Sequence, residues 1–242
     1  MIKKSSVVVA CVTTMLFACN AYADVVFDST TAGTFMDISL TGTALGLTDD
    51  GETDFLSTFL GTNVRIGNNG GLAIEAAGGN SNLFAGNQAL PNATAFSAVE
   101  VFLPFWDDLD TELGDVFVQD FGDRLIVQWE NRPHFSGVGA TDGVTFQAQI
   151  FGREATTAAG GIIAQYLYTD TTFAEQPQND NGASATIGYQ STATDAAQFS
   201  FNTESVFDGD VLTLRTTPVP EPGSLIILGV AGIGMMMRRR SR

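Results

Sequence analysis

Cysteine, histidine and lysine are scarce in this chain, and where the few of them fall limits what it can be. Among its 242 residues there are two cysteines, Cys11 and Cys19, one histidine, His134, and two lysines, Lys3 and Lys4. The lysines precede an apolar stretch, Val7 to Ala18, and Ala21-Tyr22-Ala23 follows it. A basic start, an apolar run and an A-x-A site read as a secretory signal peptide, residues 1–23, cut after Ala23. Leu16-Phe17-Ala18-Cys19 offers a second reading, a lipoprotein-type box with Cys19 lipidated. Either way the body beyond Ala23 has no cysteine. It enters an oxidising compartment without a disulfide or a thiolate metal site, so its stability must come from a core.

A single histidine excludes most zinc and other transition-metal sites. A Ser-His-Asp triad would need His134 as its base. That residue follows a predicted strand in Asn131-Arg132-Pro133-His134-Phe135, and the chain has no G-x-S-x-G elbow. A hydrogen-bonded structural histidine is the expectation, and no catalytic residue is assigned. The body has no lysine and five arginines, Arg65, Arg124, Arg132, Arg153 and Arg215, against twenty-six carboxylates, a formal charge of −21. Such a surface repels nucleic acid, anionic lipid and acidic polymers. It suits solubility, divalent cations or cationic partners.

Long helical periodicity is also missing. Short apolar or alternating runs are broken by Gly, Asn and Asp clusters, which is a β pattern. Residues 115–119 and 124–130 form the clearest hairpin, with Leu125, Val127 and Trp129 on one face and Arg124, Gln128 and Glu130 on the other. A second hairpin pairs 144–151 with 162–169, with Val144, Phe146, Ala148 and Ile150 inward and Thr145, Gln147 and Gln149 outward. Further strands are expected at 34–40, 54–59, 63–66, 72–75, 99–105, 185–189, 198–201 and 211–216. The sum is an all-β fold: one β-sandwich of about ten short strands over residues 24–217, centred on Phe102, Phe105, Trp106 and Trp129. A signal helix and a short C-terminal hydrophobic helix flank it. Residues 76–95 and 173–183 read as long surface loops, where binding functions concentrate.

Carboxylates are abundant enough to raise two chemistries. Glycoside hydrolysis needs two carboxyl groups about 5–9.5 Å apart, and no pair stands out. Calcium is a hard cation that takes oxygen ligands. Asp107, Asp108 and Asp110 are candidate ligands in one loop, and Asp49, Asp50, Glu52 and Asp54 in another. The first is not an EF-hand, because Leu113 and Gln119 stand where that loop needs Gly and Glu. Gly137-Val138-Gly139-Ala140-Thr141-Asp142-Gly143 precedes a strand and so is a loop, not a dinucleotide site. Asn92-Ala93-Thr94 is formally a glycosylation sequon.

The last two dozen residues are the most specific part. Pro218-Val219-Pro220-Glu221-Pro222-Gly223-Ser224 leads into an apolar run from Leu225 to Met237, then Arg238-Arg239-Arg240-Ser241-Arg242. As a helix the run rises roughly 20 Å, short of a bilayer core of about 30 Å. A cleavable tail fits that length better than a permanent span, although an ordinary tail anchor is the alternative. The order of box (Pro220, Glu221, Pro222), apolar run and basic end (Arg238, Arg239, Arg240) resembles the PEP-CTERM sorting signal of bacterial envelope proteins. The resemblance implies a membrane-embedded processing enzyme of the exosortase type, export across the inner membrane, transient anchoring by the tail, and release to the cell surface or extracellular matrix. Elements of the body, in order, are Thr41-Gly42-Thr43-Ala44-Leu45-Gly46-Leu47, Asn68-Asn69-Gly70-Gly71-Leu72, Leu103-Pro104-Phe105-Trp106-Asp107-Asp108-Leu109, Gly122–Trp129 and Pro133-His134-Phe135. They resemble nidogen-like extracellular β modules. That resemblance implies a non-catalytic extracellular domain with a structural or adhesive role. The alternative is a carbohydrate-active protein, an exopolysaccharide-binding module or weak hydrolase. An exposed Tyr or Trp platform would favour it, and buried Trp106 and Trp129 would disfavour it. The expected partners are the processing enzyme, extracellular polysaccharide and other surface proteins. Nucleic acid is not expected, and membrane contact is expected only through the ends.

Overall fold

The computed structural model describes residues 25–96, 100–135, 139–152 and 161–217. The two expected flanking helices lie outside the described residues. Thirteen strands follow one another: β1 (Val25–Asp28), β2 (Thr43–Ala44), β3 (Glu52–Ser57), β4 (Thr62–Gly67), β5 (Leu72–Ile74), β6 (Glu100–Trp106), β7 (Asp115–Asp120), β8 (Leu125–Arg132), β9 (Val144–Ile150), β10 (Ile162–Asp170), β11 (Thr186–Thr192), β12 (Asp195–Phe201) and β13 (Val211–Thr216). They build a seven-stranded sheet, β1-β13-β10-β9-β8-β7-β2, and a six-stranded sheet, β12-β11-β6-β5-β4-β3. Every pairing is antiparallel.

The all-β sandwich is as expected, with more strands than the ten foreseen. Both hairpins form: Asp120 pairs with Leu125 across the first turn, and Ala164 with Ile150 in the second. The inward alternation also holds in both hairpins, since Val127 and Trp129 meet Val144 and Phe146 in one buried core, which Phe102 and Phe105 join across a register shift in β6. Trp129 stacks on Phe146 at 5.0 Å and Phe146 on Phe105 at 5.4 Å, which ties the sheets together. β1 and β2 were not foreseen; at four and two residues they are too short for a periodic signal.

Two expectations about the outer faces fail. Residues 34–40 are not a strand, and Gln128, Gln147 and Gln149 are not solvated. The segment crosses the outside of the seven-stranded sheet, and the glutamines are buried beneath it. Gln147 accepts a hydrogen bond from Met36 N (3.2 Å) and donates to Met36 O (2.7 Å). Gln128 accepts from Ile38 N (2.9 Å), and Gln149 and Gln165 donate to the carbonyls of Thr34 (2.9 Å) and Ala32 (3.2 Å). Alternation marks which residues point outward. It does not say whether water or chain lies there.

The six-stranded sheet is covered in the same way. Residues 76–95 were expected as a surface loop, but Leu83 and Leu90 from this stretch, with Phe96 just beyond it, pack over Ala73, Val101, Leu103 and Trp106. Gln190 accepts from Asn92 N (2.7 Å) and donates to Phe96 O (2.8 Å), and Gln198 accepts from Leu90 N (2.7 Å). Trp106 therefore belongs to this outer cluster, where its indole N–H donates to Phe84 O (2.9 Å). Asn92 of the sequon is buried and holds Thr94 N and Ala95 N with its carbonyl oxygen, so a glycan does not fit there.

Replacing Gln147 by Ala removes both bonds to Met36 and leaves partly buried backbone groups unpaired, a cost of about 1–2 kcal/mol. Chemical denaturation of Gln147→Ala is expected to show that loss with little change in the urea dependence. A loss below about 0.5 kcal/mol would mean that water replaces the clamp.

Candidate functional site

The strand directions place the connections of the sandwich at two ends with very different charge. At one end lie the loops β2–β3 (Asp49, Asp50), β6–β7 (Asp107, Asp108, Asp110, Glu112), β8–β9 (Asp142), β10–β11 (Glu175, Asp180) and β12–β13 (Glu204, Asp208, Asp210). These hold twelve carboxylates. At the other end lie β3–β4, β5–β6, β7–β8, β9–β10 and β11–β12, whose described residues hold two, Glu75 and Asp123. The carboxylate-rich end is the candidate site.

Its frame is a tight interlock of two motifs. The turn Asn68-Asn69-Gly70-Gly71 joins β4 to β5, with Gly70 at φ +76° against the end of β6. A Cβ there would sit 1.9 Å from Phe105 O, so only glycine fits. Phe105 N donates to Gly70 O (3.3 Å) and Asp107 N to Asn69 O (3.2 Å). The Asn69 carboxamide accepts from Leu109 N (2.8 Å) and donates to Asp50 (2.8 Å). The Asn68 carboxamide donates to Leu109 O and accepts from Arg132. Arg132, 2 % exposed at the end of β8, also donates to the carbonyls of Leu113 (3.0 Å) and Gly114 (3.2 Å). Burial lowers its pKa, partly offset by the charges of Asp115, Asp110 and Asp49. One buried cation thus holds together the turn and the loop that carry the acids.

The carboxylates of Asp49, Asp50 and Asp108 come within 4.8 Å of one another. Among the described residues this is the one group of carboxylates close enough to share a cation. Burial raises the Asp49 pKa, and the charges of Asp50 and Asp110 raise it further. Burial likewise raises Asp108; the charge of His134 opposes this, and Asp50, Asp49 and Asp107 add to it. Beside them a recess of about 360 Å³ is lined by Leu47, Thr48, Asp49, Thr111, Asp115 and Arg132.

The fold does not assemble either loop group foreseen from the sequence. Asp107 turns inward, where it accepts from Ser184 Oγ (2.5 Å) and lies 3.5 Å from His134 Nε2. Asp110 accepts from Thr111 N (2.5 Å). Glu52 and Asp54 engage Arg65 at 2.5 and 3.5 Å. Asp108 instead meets Asp49 and Asp50 from the other loop, a pairing across 58 residues of chain that no local spacing announces. Asn68, Asn69, Arg132 and Ser184 complete the site and were missed. The N-N-G-G turn was legible, but the partners of its side chains were not. Ala21, Ala23, Pro220, Glu221, Pro222, Arg238, Arg239 and Arg240 lie outside the described residues.

His134 is structural. Its Nδ1 lies 2.9 Å from Phe135 O, its ring meets Phe173 edge-on at 5.4 Å, and its strand end bridges Leu109. Burial pulls its pKa down. The hydrogen bond and charge of Asp107, with Phe135 O and the charge of Asp108, outweigh that and raise it overall.

Comparison with known proteins bears on the whole assembly. A family described as NIDO related matches residues 26–224, most of the chain. The chain belongs to the NIDO-related family. In this chain the conjunction of the Asn-Asn-Gly-Gly turn with the Trp-Asp-Asp element is the frame of the carboxylate-rich end. The PEP-CTERM protein-sorting motif matches residues 218–240. The protein is therefore a secreted, PEP-CTERM-sorted extracellular protein with a NIDO-related body, and the motif implies processing by a membrane enzyme of the exosortase type. No curated protein and no solved structure matches the chain.

Two predictions follow from the charges. In metal-free buffer Asp49→Asn relieves repulsion and is expected to raise the melting temperature by about 1–3 °C. If calcium uses the cluster, added calcium stabilises the parent protein and not the variant; no response in either leaves the acids as surface charge. His134, with its folded pKa raised, contributes stability that is present below its unfolded value and lost as pH rises through the folded one. Melting temperature should therefore fall between pH 6 and 8, about the ordinary histidine range, and His134→Gln should flatten that slope.

Proposed function

We propose that this protein is a non-enzymatic component of the cell surface or extracellular matrix, with a structural or adhesive role. The observation that carries the reading is the burial of every tryptophan and tyrosine of the body. Trp106, Trp129, Tyr166, Tyr168 and Tyr189 are all at most 2 % exposed. Sugar-binding surfaces rely on flat aromatic faces that meet solvent, and here those rings fill the core. The tyrosine hydroxyls are spent internally: Tyr166 donates to Gly188 O (2.8 Å) and Tyr168 to Pro104 O (2.7 Å). Exposed phenylalanines remain, with Phe207, Phe135 and Phe84 between 42 and 52 %. They suit contact with other proteins better than recognition of a polyhydroxylated chain. The carbohydrate-active alternative therefore has less support, and exopolysaccharide is proposed as surroundings shared with the matrix.

The proposal includes cleavage after Ala23, a mature body of residues 24–217, and transient anchoring by the C-terminal helix before processing near Pro220-Glu221-Pro222.

The intact mass of the protein recovered from its host, fraction by fraction, tests the route. The mature form should lack residues 1–23 and everything beyond the Pro-Glu-Pro box. The triple variant Pro220→Ala, Glu221→Ala, Pro222→Ala should keep Arg238–Arg240 and stay with the membrane. Loss of the gene should weaken adhesion or matrix cohesion with no change in glycan chain length. A shortened glycan product would sink the non-enzymatic reading.

A further inference from the structure

The body leaves both of its chain ends at one place. Val25, the first residue of β1, pairs with Thr216, the last of β13. The pair is locked by Arg215, which donates to Asp28 (3.0 Å) and to Thr31 Oγ1 (2.5 Å). Asp28 also accepts from Thr30 N (2.8 Å), Thr30 Oγ1 and Thr31 Oγ1 (both 2.6 Å). These bonds hold its carboxyl well below the usual range, so the pair stays ionised and neutral in sum. Around this corner, between the edges of the two sheets, lies a recess of about 280 Å³ lined by Val25, Val26, Tyr189, Asp195, Ala196 and Ala197. It contains one carboxylate. The corner belongs to the end of the sandwich poor in carboxylates, opposite the twelve.

We infer that this terminal end faces the lipid headgroup surface when the exported protein is held at the membrane, and that the carboxylate-rich end is turned away. The inference rests on the sorting route proposed above, and two independent arguments support it. The first is reach. Eight residues, 217–224, separate Thr216 from the apolar run that begins at Leu225. Fully extended, the nine steps from Thr216 to Leu225 span at most about 32 Å. The longest strand, β10, has nine residues and a length of about 30 Å. For the far end to approach the bilayer, the tether would have to run the whole length of the sandwich, leaving almost nothing to cross the headgroup layer. The second is charge. An anionic leaflet repels acidic groups within a Debye length of its surface, about 8–10 Å. Twelve loop carboxylates at that surface are strongly disfavoured. The near end presents valines, alanines, Arg215 paired with Asp28, the Asp123–Arg124 pair (3.0 Å), exposed Asp195 and buried Glu75, far fewer free carboxylates than the twelve. The tether and the field therefore favour the same orientation. The cluster of Asp49, Asp50 and Asp108 is then presented outward.

The body has no cysteine, so single labels can be placed without background once Cys11 and Cys19 are changed to Ser. Thr194 in the β11–β12 turn and Glu204 just beyond β12 are both exposed and sit at opposite ends of the same strand. Thr194→Cys and Glu204→Cys, each in the full chain, carry a fluorophore. The proteins are reconstituted in vesicles of phosphatidylglycerol and phosphatidylethanolamine that carry a headgroup quencher. Quenching should be several-fold stronger at position 194 than at 204, with the gap narrowing in molar salt but not closing. Equal quenching, or stronger quenching at 204, overturns the proposal. Vesicle flotation separates the two failures. Protein that floats but shows no contrast refutes the orientation alone, whereas protein that does not float refutes the membrane tether as well. Contrast that arises only when the processing enzyme is added assigns the face to protein contact and likewise overturns the lipid reading.

Discussion

The side-chain amide that hydrogen-bonds a passing backbone is the interaction on which this molecule depends. An antiparallel sandwich buries its inner faces and ordinarily leaves the outer ones to water. Here both outer faces are covered by irregular chain, which brings its own unpaired N–H and C=O groups. Buried backbone groups without partners are costly. Gln128, Gln147, Gln149 and Gln165 on one sheet, and Gln190 and Gln198 on the other, supply the missing donors and acceptors. Neighbouring glutamines also bond each other, Gln149 to Gln147 at 2.7 Å and Gln147 to Gln128 at 3.2 Å, so the row behaves as one network. A glutamine is both donor and acceptor, and it lets a strand hold a non-strand segment in register. This explains how a body without a disulfide holds two long coil segments in place.

Covering the faces leaves the ends and edges for contact with the outside. The ends are not equivalent. Chain termini and few acids share one; nearly all the loop carboxylates share the other. The separation follows from which connections carry acids, since antiparallel topology sends alternate loops to opposite ends. The site end is further ordered by Arg132, whose guanidinium holds carbonyls and Asn68 in place of a carboxylate. Burial at this end raises the pKa of Asp49 and Asp108, and the charges of neighbouring carboxylates add to it.

The tryptophans and tyrosines of the body are invested in packing, its one histidine ties a loop to Asp107, and most loop acids of the described residues lie at one end. What the body offers to solvent is charge at that end and exposed phenylalanines such as Phe84, Phe135 and Phe207.

The sequence by itself determined the export and sorting signals, the all-β class, both hairpins and most strand positions. These depend on local order: apolar runs beside charges, a period of two, and turn residues between. It also determined that the body would lack disulfides and be strongly acidic, because composition needs no geometry. Tertiary structure decided what depends on distant residues meeting. Residues 34–40 look like a strand by alternation, yet they lie as a strap because Gln147 and Gln128 of other strands take their hydrogen bonds. Residues 76–95 look like a solvated loop, yet Leu83 and Leu90, with Phe96 just beyond, found an apolar sheet face. Asp108 looked like the partner of Asp107 and Asp110, neighbours in one loop. A turn in which successive side chains diverge, and an Asn69 that anchors Asp50, placed it with Asp49 and Asp50 instead. Pattern reports the direction of a side chain; only the assembled sheets determine what it meets there.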